Sequence, residues 1–379
     1  MLTIILVKQE WRGVKPWIIS LFIALVALMS LSSLFAFNTD LALTYLSLYG
    51  KNFALALIIA GCIRNINSMR TMTLYCIAGA TIGGLLAIYQ YRTGNLVVST
   101  IYDKRAGGLS NDPNDAAMLM LAGLPLCFYW FLRSKIPGKI FFSSTALITL
   151  IGIILTGSRG GFVALCVSGA IVYFRRPSIM NSVAILVIAI CGIILAPPYY
   201  KDRITTLFTG KELNYATSLD QRSQLLEYGL RAFFKHPVLG TGTGNFGAGF
   251  TEIANQEGGR FKQVSPSNAP YMPAHNLYLE FFVENGGFAG CILLLIFGLS
   301  LLGLFKLNET NAQGRRPHYP LGYLIGAALI GMMLAGLFLS QGKNPVLWFL
   351  TGLGLSSFQI PKSRRVISKV ESPIRQITT

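Results

Sequence analysis

The chain has 379 residues, of which 53% are hydrophobic and only 12% charged, with a mean hydropathy of +0.54. Soluble domains carry about 25% charged residues, so this composition cannot cover a water-facing surface and predicts an all-α, polytopic helical membrane protein. The formal charge of +17 would suggest nucleic acid on a soluble fold, but its distribution along the chain excludes nucleic acid as a partner.

Lys8, Arg12 and Lys15 precede an apolar run of about 21 residues ending at Phe37, with no small-residue cleavage site after it. The run reads as a retained anchor. Ten stretches reach or approach the length that crosses a hydrocarbon core of roughly 30 Å. They are 17–37, 41–63, 71–91, 116–132, 138–157, 158–176, 179–197, 277–305, 321–340 and 344–360. The chain thus divides into seven spanning helices with short loops (1–198), one long extracytoplasmic loop (199–275), three further spans (276–360) and a basic tail (361–379). All six cysteines fall inside apolar stretches, which gives neither a disulfide framework nor a CxxC metal pair.

Orientation follows from the bases. Eighteen of the 32 Lys and Arg, among them Arg64, Arg70, Arg133, Arg175, Arg315 and Arg364, fall on the side that holds both termini. Of the other fourteen, eight lie in the long loop, which counts little, and Lys51 lies within a span. Both termini are therefore expected in the cytoplasm and the long loop outside. The basic excess is a topology and anionic-lipid signal.

Four polar segments interrupt the apolar pattern. The loop 103–115, DKRAGGLSNDPNDAA, offers Asp103, Asp112 and Asp115 with Asn111 and Asn114. Such oxygens suit a hard cation, yet a Pro-centred turn that caps the next helix explains them with less. Arg105 in the same loop is a second-tier phosphate contact. Next, TGSRGG at 156–161 joins two spans. From Gly161 to Phe174 a helix would be only about 21 Å long, so it must begin near Ser158, leaving Arg159 within a turn of the outer interface. A charge at that depth is either a snorkelling side chain or a functional group with a partner.

In the long loop, residues 218–235 predict an amphipathic helix with Leu219, Leu226, Leu230 and Phe233 as its apolar stripe. Ser218 could cap it. Arg222 falls within that stripe, as a snorkelling base or as an arginine aimed at an anion. The helix runs into LGTGTGNFGAGF, a glycine-rich loop whose amides could approach a phosphate but which has no Walker lysine. Finally, HNLYLEFFVENGGFAG at 275–290 places His275 at the start of the eighth span, with Glu280 and Glu284 at i,i+4 inside it. Two acids there need partners, and Arg159, Arg222 and Lys51 are the available bases.

An outward membrane site with arginines and one histidine suits a lipid-linked sugar pyrophosphate. Arginine binds phosphate bidentately and stabilises charge on a leaving group, and histidine can take the proton of an attacking hydroxyl.

TGSRGGFVAL at 156–165, RSQLLEYGLRAFFKHPVLGTGTGNF at 222–246 and HNLYLEFFVENGGFAG at 275–290 together resemble the bacterial O-antigen ligase and polymerase superfamily, over roughly residues 100–300. The resemblance implies a metal-independent, inverting glycosyltransferase of the inner membrane, without a cofactor, whose active site faces the periplasm. Its donor would be an undecaprenyl-pyrophosphate-linked glycan, and its acceptor lipid A core or a second lipid-linked glycan. Carried onto this chain, Arg159 and Arg222 bind the pyrophosphate and His275 activates the acceptor hydroxyl. Arg105, Asn276, Tyr278 and Glu284 are expected to bind substrate. The chain departs from the family at Leu225–Leu226, where a tryptophan is frequent, and in having ten predicted spans against about twelve. Ligase, polymerase and protein-glycosylating relatives share the three motifs. A transporter lined by Lys51, Glu280 and Glu284 is the non-enzyme alternative.

Overall fold

A computed structural model of the chain describes residues 14–100, 103–110, 112–177, 216–256, 265–310 and 317–361. The described helices are α1 (Pro16–Leu34), α2 (Thr39–Cys62), α3 (Ile66–Thr93), α4 (Pro113–Arg133), α5 (Ile136–Thr156) and α6 (Arg159–Phe174). They continue as α7 (Ala216–Lys235), α8 (Phe246–Gln256), α9 (Leu277–Lys306), α10 (Leu321–Ala335) and α11 (Pro345–Ser356). The only strands among the described residues, β1 (Val97–Thr100) and β2 (Asp103–Arg105), form a small antiparallel hairpin after α3. The protein is almost entirely α-helical.

Six of these helices, α1 to α5 and α9, are long and apolar enough to cross a membrane. Three shorter apolar helices, α6, α10 and α11, fall on predicted spans, while the predicted span 179–197 lies outside the described residues. Short polar side chains set the boundaries by accepting amide hydrogen bonds from the first turn. Asn38 caps α2, Asn65 α3, Asp112 α4, Ser158 α6, Asn276 α9 and Asn344 α11. Gly94 and Gly157 close α3 and α5 in the left-handed conformation that glycine adopts without steric cost.

The shortness of α11 does not make it peripheral. Its Trp348 is fully buried, edge-on to Phe53 at 4.6 Å and packed on Phe22 and Phe297, so α1, α2, α9 and α11 share one aromatic core. Opposite lies a layer in which α4 packs on α3 and α5, and α10 on α4 and α6.

The two ends of the bundle are chemically distinct. At one end the start of α3, the end of α4 and the α9–α10 connection meet at Glu309, whose side chain is 2% exposed. It accepts from Arg70 at 2.8 Å, Arg133 at 3.1 Å, the Tyr129 hydroxyl at 2.8 Å and the Leu321 amide at 2.6 Å. Burial would raise its pKa, but Arg70, that amide, Tyr129 and Arg133 outweigh it and hold the carboxyl below its ordinary value. At the other end lie the starts of α4, α6, α9 and α11 and the ends of α5 and α10. The three sequence motifs converge there.

Candidate functional site

The site is built on helix starts. Ser158 caps α6 by accepting from the Gly161 amide at 3.1 Å and donates its own hydrogen to Asn114 Oδ1 at 2.8 Å, which fastens α6 to the first turn of α4. A β-carbon on Gly160 would lie 2.6 Å from Leu339, and one on Gly161 2.7 Å from Ala117. The glycine pair thus serves close packing against α4 and the 336–343 connection. It leaves Arg159, as the first residue of α6, half-buried at the mouth of this end of the bundle.

Asp112 caps α4, as the turn-and-cap reading expected, while the Asp103 side chain lies outside the described ones. Asp112 accepts from the Asn114 amide at 2.8 Å and Asp115 from Gln341 at 2.8 Å; Asn111 lies outside the described residues. Arg105, at the end of β2, is buried to 7% exposure. The Ala106 amide donates to the Leu155 carbonyl at 3.4 Å, and Gln90 accepts from the amides of Gly107 and Gly108. The loop that follows Arg105 is therefore tied to the end of α5.

His275 has φ +51°, the left-handed region, and is the one non-glycine residue with positive φ among the described residues. Hydrogen bonds on both sides hold it there. Its own amide donates to Ser340 Oγ at 3.1 Å, Ala274 N donates to Glu280 Oε2 at 3.0 Å, and Leu277 N reaches the carbonyls of Gly336 at 2.7 Å and Leu339 at 3.1 Å. The 336–343 connection thus joins His275 to the start of α6 through Leu339 and Ser340. Burial first, and then the charge of Arg222, lowers the His275 pKa from its ordinary value, while Glu280 and Asp112 oppose the shift. The shift favours the neutral imidazole, the form able to accept a proton.

Arg222 reaches this point on α7, which starts at Ala216, two residues before the expected start; the side chains of its first turns, Leu219 included, lie outside the described ones. Of the expected apolar stripe, Phe233 packs on the protein body and Leu226 and Leu230 stay at its surface. Leu226 and Leu230 are 48% and 42% exposed, whereas Leu225, Gly229 and Ala232 face inward. The helix is rotated because Gly229 lets it settle on Leu279 and Phe246, against a satellite core that includes Phe250, Ile253 and Val283. Arg222 lies one turn before Leu225 on that inward side, half-buried, with its charge felt at His275.

The glycine-rich loop turns out to be a packing device. Thr241 N donates to the Val283 carbonyl at 2.9 Å and Gly242 N to the Glu284 carbonyl at 3.0 Å, and the Gly244 and Phe246 amides bind the Glu284 carboxylate. Those amides are turned into the fold. The loop docks where α9 breaks, at Gly286 with φ 77° and ψ 173°. Glu284 is 1% exposed and acts as its anchor. Asn276 caps α9 through Tyr278 N and Leu279 N, both at 3.0 Å, and the Tyr278 hydroxyl donates to the Met333 carbonyl at 2.7 Å. The structure therefore gathers His275, Arg222, the start of α6 with Arg159, and the loop bearing Arg105. It directs the polar atoms of Glu284 and Tyr278 inward.

The base that meets Glu280 is Lys343, at 3.1 Å, rather than Arg159, Arg222 or Lys51. The Lys343 ammonium sits 4.5 Å from the Tyr45 ring centroid and 4.1 Å from that of Tyr271, and donates to the Tyr271 hydroxyl. The one local signal for Lys343 was a base in QGKNP between two apolar stretches. Lys51 is exposed on an unbroken α2.

Residues 144–295 match the family described as O-antigen ligase. The chain is also similar to a protein of Haemophilus influenzae, itself uncharacterised, at 24% identity over 214 residues, covering 53% of this chain and 52% of the relative. The chain thus spans about half the length of the relative it matches. The family match takes in α6, Arg222, the glycine-rich loop and His275, and with the polytopic helical architecture it supports membership in the O-antigen ligase superfamily.

Proposed function

We propose that the chain is an O-antigen ligase-type glycosyltransferase that moves a glycan from undecaprenyl pyrophosphate to a hydroxyl of lipid A core on the periplasmic side of the inner membrane. The observation that carries this reading is the convergence, at one end of the bundle, of a backbone-constrained His275 with Arg222 and the Arg159 helix start. In the proposed reaction the acceptor oxygen attacks the anomeric carbon from the face opposite the pyrophosphate. The acceptor O–H proton passes to His275 as the new C–O bond forms. The bond to the pyrophosphate oxygen breaks, and the leaving lipid pyrophosphate keeps that electron pair. Arg159 and Arg222 neutralise the charge growing there, and single displacement inverts the anomeric centre. Arg105 acts as a further phosphate contact, while Asn276, Tyr278 and Glu284 hold the shape of the site. Because the arginines supply the positive charge, chelators should leave turnover unchanged.

Purified protein given the lipid-linked glycan, with and without lipid A core, tests the reading by mass spectrometry of products. Glycan appearing on core only when core is present supports ligation, and longer lipid-linked glycan without core would reassign the protein as a polymerase. His275→Ala and Arg222→Ala should each abolish product while the protein stays folded; full activity in both sinks the site assignment. A transporter would need Lys51 beside Glu280 and Glu284, but Lys51 is exposed on α2 and Glu280 meets Lys343.

A further inference from the structure

Below His275 lies a buried ionic cluster for which the transfer reaction as proposed has no use. Glu280 is 2% exposed, and its two oxygens have divided tasks. Oε1 accepts from Lys343 and faces the Tyr271 hydroxyl at 3.5 Å. Oε2 accepts from the Ala274 amide at 3.0 Å and from the Ser340 hydroxyl, and the Ser340 oxygen in turn accepts from the His275 amide at 3.1 Å. Two consecutive amides, 274 and 275, therefore converge on one carboxylate–hydroxyl pair. Successive backbone N–H groups turned to the same side are the arrangement that cradles anions in backbone nests. Here the anion is the protein's own carboxylate. A left-handed non-glycine residue persists only where its surroundings over-determine it, and this cluster does so at His275.

We propose that Glu280 is a positioning residue that acts through Ser340 and the Ala274 amide to fix the backbone, and with it the imidazole, of His275, with Lys343 as the basic partner that meets its carboxyl inside the bundle. The charged groups that bear on His275 are Arg222, Asp112 and Glu280, and of these Glu280 is the one tied to its backbone. Lys343 suits its task because the Tyr45 and Tyr271 rings, stacked 4.7 Å apart, receive its ammonium where water is scarce. Removal of Lys343 alone would leave an unpaired buried carboxylate.

The catalytic consequence rests on the transferase reading; the placement of His275 does not, so the experiment reads both. The chain has three histidines, and protein labelled with 15N-histidine in nanodiscs gives three imidazole signal sets, assigned by single substitutions. The variants are Ser340→Ala, Ser340→Thr, Glu280→Gln and the double Glu280→Gln/Lys343→Met, in which neither charge is left unpaired. Ser340→Ala and the double variant should shift the His275 signals and leave those of His236 and His318 in place. In both, kcat for glycan transfer should fall about 10- to 100-fold, since small misplacements of a catalytic group have costs of that order, with donor KM within about twofold. Ser340→Thr, which keeps the hydroxyl, should restore both readouts. If Glu280→Gln alone fails to fold, the Ser340→Ala and double variants still decide. Folded variants with unmoved His275 signals and kcat within about twofold of wild type would overturn the proposal. Should wild type transfer no glycan, the functional reading fails, and the histidine spectra alone decide the positioning role.

Discussion

The break in α9 makes a demanding prediction, because two glycines of one helix should respond oppositely to the same substitution. Gly286 has φ 77° and ψ 173°, a region used almost only by glycine. A β-carbon there would collide with the Val238 carbonyl, and the loop carrying Val238 cannot retreat without loosening the bonds from Gly287 N to the Pro237 carbonyl at 2.8 Å and from Gly242 N to the Glu284 carbonyl at 3.0 Å. Backbone strain of about 1–3 kcal/mol and about 1 kcal/mol for each weakened bond place Gly286→Ala near 3–5 kcal/mol of destabilisation. Gly298 lies twelve residues further along α9 with nothing within 4 Å of an added β-carbon. Gly298→Ala should therefore cost nothing and could gain up to about 1 kcal/mol from helix propensity. Thermal unfolding of both variants in one detergent, followed by tryptophan fluorescence, reads the difference. The loop displaced by Gly286→Ala leads from α7 and Arg222, so glycan transfer should fall with stability in that variant alone. Equal melting temperatures for the two variants, or full transfer by Gly286→Ala, would refute the account of the kink as the seat of the glycine-rich loop.

Two pH effects follow from the ionic environment of each end. At the site, burial and Arg222 lower the His275 pKa, so the acid limb of kcat/KM should lie below the ordinary histidine value. Arg222→Gln should move the limb upward by removing a positive charge, even though the overall rate falls; a downward move would contradict the placement. At the opposite end, the folded-state pKa of Glu309 lies below its unfolded value. Its stabilisation is therefore present above the ordinary carboxylate range and lost as pH falls through the folded value. The melting temperature should drop on acidification, and Glu309→Gln should be less stable at neutral pH and flatter in its pH response. An unchanged acid profile in that variant would show that the cluster around Arg70 and Arg133 contributes little.

Much of the architecture was legible because the bilayer imposes it. Helices at 16–34, 39–62, 66–93, 113–133, 136–156 and 277–306 fall within a few residues of the predicted spans, since spanning length and polar caps are both local features of the chain. Hydrophobicity alone could not tell a spanning helix from a buried one, and α10 and α11 ended shorter than expected at Ala335 and Ser356. The motif residues His275, Arg222 and Arg159 could be picked out because charge and histidine are scarce in such a chain.

Their surroundings were not legible. Which face of α7 turns inward depends on Gly229 meeting Leu279, and what the glycine-rich loop does with its amides depends on a break 42 residues away in sequence from Gly244. The partner of Glu280 depends on Lys343, 63 residues further along the chain. Periodicity and composition report what each segment can bury or cap by itself. Only the tertiary packing decides which distant carbonyl, carboxylate or ammonium completes it, because those pairings are fixed by helices that meet across the bundle.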